Sequence, residues 1–224
     1  MNIKNYPSNI SKVKIFNLSL PIFFSNFAIP LVGIVDTGLM GNLGQSKYLA
    51  STSIATSVMT LIIWSFGFLR MGTVGLVAQL FGKSDYREMI KMLVRNFLIA
   101  IFLSVIIISL SFWIIYAVEI FFKIEKETLD LVNTYISIRV FSIPAEFTIY
   151  ILIGFYLGIQ KTNISSLIII ILSIMNIIFS SYLVLSLNLN VAGVSFGTLI
   201  SSYLTAIIFC LFTYRFISRK FQIT

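Results

Sequence analysis

The length of its apolar runs constrains this chain more than any other feature. Six segments, at roughly 14–41, 49–81, 90–121, 129–160, 163–186 and 191–215, are separated by Gly, Asn, Lys or acidic residues. Each is long enough for the 20 or so apolar residues that about 30 Å of hydrocarbon requires of a helix. The runs are too long for the strands of a membrane barrel and lack the alternation such strands need. The connections, Gly41 to Lys47, Gly82 to Glu88, Lys123 to Asp130, Gln160 to Asn163 and Ser186 to Asn190, are short, so consecutive helices must be antiparallel neighbours. The expected architecture is an all-α integral membrane protein, a bundle of six transmembrane helices forming one domain over residues 1–224.

Composition agrees. Charged residues make up 11% and hydrophobic ones 58%, whereas a soluble domain carries about 25% charged residues to stay wet. The formal net charge of +8 does not mark a nucleic-acid binder, because no helix offers a basic face with interleaved aromatics. The charge is placed at segment ends instead. Lys4, Lys12, Lys14, Lys83, Arg87, Lys91, Arg95, Lys161, Arg215, Arg219 and Lys220 fall on one side, with Lys47, Lys123 and Lys126 on the other. Excess Lys and Arg stay on the cytoplasmic face, which predicts an inner-membrane protein with both termini cytoplasmic. The first run is too long for a signal-peptide core and reads as a retained helix. One cysteine, Cys210, and no histidine exclude an intrachain disulfide, a His or multi-Cys zinc site and imidazole-dependent catalysis. The expectation is a protein that is not an enzyme and holds no cofactor.

A few polar side chains are embedded in these runs. Asp36 stands in Pro30-Leu-Val-Gly-Ile-Val-Asp36-Thr-Gly-Leu-Met-Gly41. A carboxylate in hydrocarbon costs about 2.5 to 3.5 kcal/mol on insertion scales and is retained when it has a partner or a task. Taking up and releasing a proton, or ligating a hard cation such as sodium, would suit it; simple hydration at the outer interface is the alternative. Pro21 and Pro30 interrupt the same segment and would free backbone groups that need a polar cavity. Asn176 and Ser180 are one turn apart on the fifth segment, and Thr198 and Ser202 repeat that spacing on the sixth. The four could complete an oxygen cage or a relay to Asp36, or serve as interhelical glue. Arg139 and Glu146 lie seven residues apart around Pro144, about 10 Å of rise, too far for a direct pair unless the proline bends the helix. Arg139 could otherwise hold Asp36, and Glu146 could face a substrate cavity. Arg70 is expected to snorkel to the cytoplasmic headgroups. The aromatics, 21 Phe, 10 Tyr and 2 Trp, suit lipid contact as well as a cavity for apolar cations.

Several stretches carry a family resemblance. Ser19-Leu-Pro21-Ile-Phe-Phe-Ser-Asn26 followed by Pro30-Leu-Val-Gly-Ile-Val-Asp36-Thr-Gly-Leu-Met-Gly41-Asn-Leu-Gly44 resembles the first helix of multidrug and toxic compound extrusion (MATE) transporters, nearest to the DinF-like branch. Phe68-Leu-Arg70-Met-Gly-Thr-Val-Gly75-Leu-Val-Ala-Gln79-Leu-Phe-Gly82 is similar to the end of helix two there. Ile138-Arg139-Val-Phe-Ser-Ile-Pro144-Ala, the segment Gly154 to Gln160, and Asn190-Val-Ala-Gly193 add further matches. The resemblance implies the first six-helix lobe of a transporter that exports small organic cations and amphipathic drugs in exchange for inward proton or sodium flow. It implies a coupling role for Asp36, with Asn176 at the family's helix-five asparagine and Thr198 at its helix-six hydroxyl; these three are the candidate ligands if the ion is sodium. Ser180 stands where many members have a second carboxylate, which favours a proton over sodium.

Members of that family have about twice as many residues. The chain is therefore expected to be a fragment, or a half-transporter that pairs with a missing C-terminal lobe or with a second half, since one bundle alone cannot open to both sides in turn. Two rival readings are a lipid-linked-precursor flippase, whose cavity would need several Arg and Lys, and a non-transporting membrane subunit.

Overall fold

The computed structural model describes residues 12–122 and 124–221; Lys4 and Lys123, counted above for orientation, lie outside the described residues. Among the described residues nine helices follow in order: α1 (Lys12–Gly41), α2 (Ser46–Ser65), α3 (Phe68–Gly82), α4 (Tyr86–Ser109), α5 (Ser111–Phe122), α6 (Lys126–Arg139), α7 (Ile143–Gly158), α8 (Thr162–Leu185) and α9 (Asn190–Phe221), with a 3-10 turn at Val140–Ser142 between α6 and α7. No strand occurs among the described residues. Among the described residues six helical stretches are long and apolar enough to cross a membrane, as the sequence predicts. The protein is a multi-pass membrane protein.

One helix per apolar segment is not what forms. The second, third and fourth segments are each built from two helices. At the first break the Phe66 N–H bonds to Ile63 O at 3.1 Å and the Gly67 N–H to Trp64 O at 2.9 Å, a tightened turn before α3 starts. A Cβ at Gly67 would stand 3.1 Å from that Trp64 carbonyl, so glycine suits the place. At the third break Pro144 has no N–H to give the Val140 carbonyl four residues back. The Ile143 N–H bonds to that carbonyl instead, which tightens one turn into 3-10 form. By contrast α1 runs unbroken through Pro21 and Pro30, correcting the expectation that they interrupt it. Its carbonyls at Asn17 and Asn26 still lose their intrahelical partners.

The fourth span, Lys126–Gly158, is the centre of the bundle, with 67% of its most apolar stretch buried against 11–44% for the others. It packs against α2, α3, α4, α8 and α9. Phe147, Ile151, Leu152, Phe155 and Tyr156, all on α7, are fully enclosed. Outward-facing Trp64, Phe112 and Phe121 are among the most exposed apolar side chains, so much of the aromatic content is directed to lipid.

Two glycine seams set how closely the helices approach. Gly154 and Gly158 of α7 lie against α3: a Cβ at Gly154 would fall 2.8 Å from Arg70 O and Thr73 Cβ, and one at Gly158 would fall 2.6 Å from Val77. Gly193 and Gly197 of α9 do the same against Val184 and Ser180 of α8. In both cases small residues four apart let backbones touch, as membrane helices require when no hydrophobic force drives them together. Because Gly158 meets Val77, α3 and α7 run in the same direction, and the loops Lys83–Asp85 and Ile159–Lys161 lie at one end, the basic end.

Candidate functional site

Asp36, Asn176, Thr198 and Ser202, with Arg139 and Glu146, converge on one cavity of about 290 Å³ between α1, α2, α6, α7, α8 and α9. Tyr135, Tyr150, Thr56, Thr60 and Ser173 complete its polar lining. Ile29, Val32, Ile149 and Leu172 supply the apolar part. The sequence reading missed these tyrosines and hydroxyls. Thr56 and Thr60 are one turn apart, as are Asn176 and Ser180, so the same spacing signal was present on α2.

Arg139 and Glu146 are a direct ion pair, each side chain 12% exposed. The direct pair that the spacing allows only where the helix is interrupted at Pro144 is the one that forms, across the 3-10 turn Val140–Ser142. Ser142 is the third member, its Oγ 2.9 Å from Glu146 Oε1 and also in contact with Arg139 Nη1. The guanidinium is thus held by Glu146 and does not bond to Asp36, although its charge acts on that carboxylate across the cavity. Tyr135, buried beside Arg139, accepts a hydrogen bond from Thr56 Oγ1 at 3.2 Å.

Asp36 is left without a partner. Its Oδ1 is buried and makes no hydrogen bond among the described residues. Ser202 Oγ, in the same cavity, is likewise buried and unbonded. A polar atom shut away from water without a partner costs about 1–3 kcal/mol, more when charged, so these two atoms are where the cavity is chemically unsatisfied.

Asn176 and Thr198 are instead committed to each other. Thr198 donates to Val194 O at 3.1 Å and can therefore only accept from Asn176 Nδ2, at 2.9 Å. Asn176 Oδ1 then faces Ser180 Oγ, which donates to it at 3.3 Å. Ser180 does not line the cavity; it sits behind Asn176, wedged against Gly197. This chain of bonds is interhelical glue between α8 and α9. Besides the Asp36 carboxylate and Ser202, the hydroxyls of Thr60 and Ser173 line the cavity outside this bonded chain. No group of three or more His, Cys, Asp or Glu that could hold a metal occurs among the described residues.

The described residues thus form a six-span bundle with an unbonded carboxylate oxygen in a polar cavity between its helices. Comparison with known proteins gives the family: the profile described as MatE matches residues 21–183, and the chain belongs to it. It is 30% identical over 194 residues to DNA damage-inducible protein F of Escherichia coli (strain K12), covering 87% of this chain and 42% of that protein. It is 26% identical over 200 residues to multidrug export protein MepA of Staphylococcus aureus (strain MRSA252), covering 88% of this chain and 44% of that one. The fold matches that of a solved outward-facing multidrug resistance MATE transporter of the MOP superfamily at TM-score 0.80, 20% identity, 92% of this chain and 45% of the other. The chain thus spans less than half the length of the relatives it matches.

Proposed function

We propose that this chain is the N-terminal lobe of a cation-coupled antiporter that exports cationic and amphipathic compounds across the cytoplasmic membrane, both termini facing the cytoplasm. The observation that carries the reading is the buried, unbonded Asp36 oxygen in a cavity whose other charges neutralise each other. A carboxylate so placed gains from a proton or from the positive charge of a substrate, and the two compete for it. That competition is what antiport needs: a bound proton displaces the cargo, and a bound cargo displaces the proton. The single free carboxylate favours a proton over sodium as the coupling ion. Tyr135 and Tyr150 offer ring faces to an apolar cation.

The second lobe is supplied by another six-helix unit. α1, the least enclosed span with 11% of its most apolar stretch buried, is the face we assign to it. A lipid-linked-precursor flippase fits less well, because Arg139 is the cavity's basic residue and Glu146 already neutralises it. An intramembrane enzyme fits no better, since Asp36 and the paired Glu146 supply no acid and base in mutual reach.

The test joins the chain in frame to the second half of its Escherichia coli relative and measures drug-cation efflux from vesicles under imposed gradients. D36N should abolish gradient-driven efflux while the protein still reaches the membrane. Efflux in D36N at the level of the unmodified chain rejects the reading.

A further inference from the structure

A second cavity, of about 330 Å³, lies between α1, α3, α7 and α8, toward the basic end. Arg70 lines it together with Asn26, Ser165 and Ser166. Arg70 is level with Gly154, since a Cβ there would touch the Arg70 carbonyl, and Gly154 is one turn from the end of α7. Ser166 is four residues into α8 from the same end. On α1, Asn26 is ten residues before Asp36, about 15 Å along the axis, so the two cavities are distinct.

The charge state of this second cavity is unlike that of the first. Arg70 makes no ion pair and no hydrogen bond among the described residues, and no acidic side chain lines the space. Ser166 is 4% exposed and its Oγ has no hydrogen-bond partner among the described residues. Ser165, next to it, is satisfied by Ile153 O at 3.1 Å. An unneutralised guanidinium, an amide and a free hydroxyl together present donors and no competing anion. Ser25, whose hydroxyl donates to Ile22 O at 2.9 Å, and apolar side chains from α1, α3, α7 and α8 form the remaining walls. Snorkelling to water would satisfy Arg70 but leave the buried Ser166 hydroxyl unbonded; an oxyanion held between them answers both.

We propose that this cavity is an oxyanion site that takes a phosphate or a phosphate ester, with Arg70 as the charged fork, Ser166 as the second donor and Asn26 as the third. The phosphate comes either from a lipid headgroup, whose acyl chains the aliphatic walls accommodate, or from a soluble phosphate.

The purified full chain in detergent is titrated with dioctanoyl phosphatidic acid, with inorganic phosphate and with dioctanoylglycerol, which lacks the phosphate. Saturable binding of phosphatidic acid, and none of dioctanoylglycerol, is the expected result. Displacement of phosphatidic acid by inorganic phosphate assigns the site to free phosphate as well; failure of phosphate to compete assigns it to the lipid ester. R70Q should weaken binding about tenfold or more, and S166A about threefold. S166A removes a hydroxyl that has no partner, so its melting temperature should not fall; it decides the matter if R70Q does not fold. Equal affinity for dioctanoylglycerol, or unchanged affinity for phosphatidic acid in S166A and in folded R70Q, overturns the proposal.

Discussion

Arg139 and Glu146, two helical turns apart in sequence, are joined in a buried ion pair across a 3-10 turn that interrupts the helix between them. The turn exists because Pro144 withholds an N–H, and Ser142, inside the turn, touches both charges. Local backbone chemistry thus decides which charges in the cavity are neutralised and which one is not.

This pair makes a sharp prediction. Removing one partner from a buried pair leaves an uncompensated charge and costs about 3–5 kcal/mol, whereas replacing both with apolar residues of similar size is often neutral. E146M and R139M should each lower the unfolding midpoint in detergent, and the double variant R139M/E146M should recover most of the loss. A double variant as unstable as the sum of the singles would show that the two side chains do not act as a pair.

The glycine seams predict a contrast within one helix pair. G154A places a methyl group against the Arg70 carbonyl and Thr73 of α3, an overpacking that typically costs about 1–3 kcal/mol. G72A, on α3, meets nothing within 4 Å and should be neutral or stabilising by up to about 1 kcal/mol, since alanine is the better helix former. Unfolding titrations of the two variants side by side check the order.

Asn176, Thr198 and Ser180 form a bonded chain that Ser180 closes from behind. S180A removes a hydrogen bond within α8 and should therefore cost about 0.5 to 1.5 kcal/mol of stability, and leave gradient-driven efflux of the rejoined transporter near normal once expression is matched. S202A should raise stability, by up to about 1–3 kcal/mol, because it removes a buried Oγ that has no partner among the described residues. Loss of coupling in S180A at normal expression would move that hydroxyl into the transport chemistry.

Two turns at the basic end close with a left-handed residue that is not glycine: Ser84 at φ 57° and Gln160 at φ 59°. In each, the next N–H reaches back five residues, Asp85 to Leu80 O at 3.0 Å and Lys161 to Tyr156 O at 2.8 Å, the capping pattern that glycine usually serves. The left-handed region costs a side-chain-bearing residue about 1–2 kcal/mol, so S84G and Q160G should each raise the thermal midpoint. A midpoint that falls in either would mean that the side chain makes a compensating contact.

Segment number and class were legible because apolar length is a one-dimensional property and the bilayer reads it directly. The breaks within segments were harder. Phe66–Gly67 and Leu110 carry no proline, and at Pro144 the sequence shows the missing donor but not which neighbour will take its place. Asp36 could be singled out because an acid in a run of Val, Ile and Leu has few uses. The status of its companions could not: whether Asn176 serves an ion or serves Thr198 depends on which helix faces stand opposite each other, and spacing along one helix carries no such information. Arg70 shows the same limit, since its distance from the segment end is visible in sequence while Asn26 and Ser166 beside it are not.

The central position of the fourth span has a mechanical consequence. A rod gripped by its neighbours along most of its length has no room to swivel or slide by itself, and close packing of the kind seen at Gly154 and Gly158 resists shear between it and α3. The pocket beside its interruption is lined from six helices, so a side chain that shifts there meets most of the bundle at once.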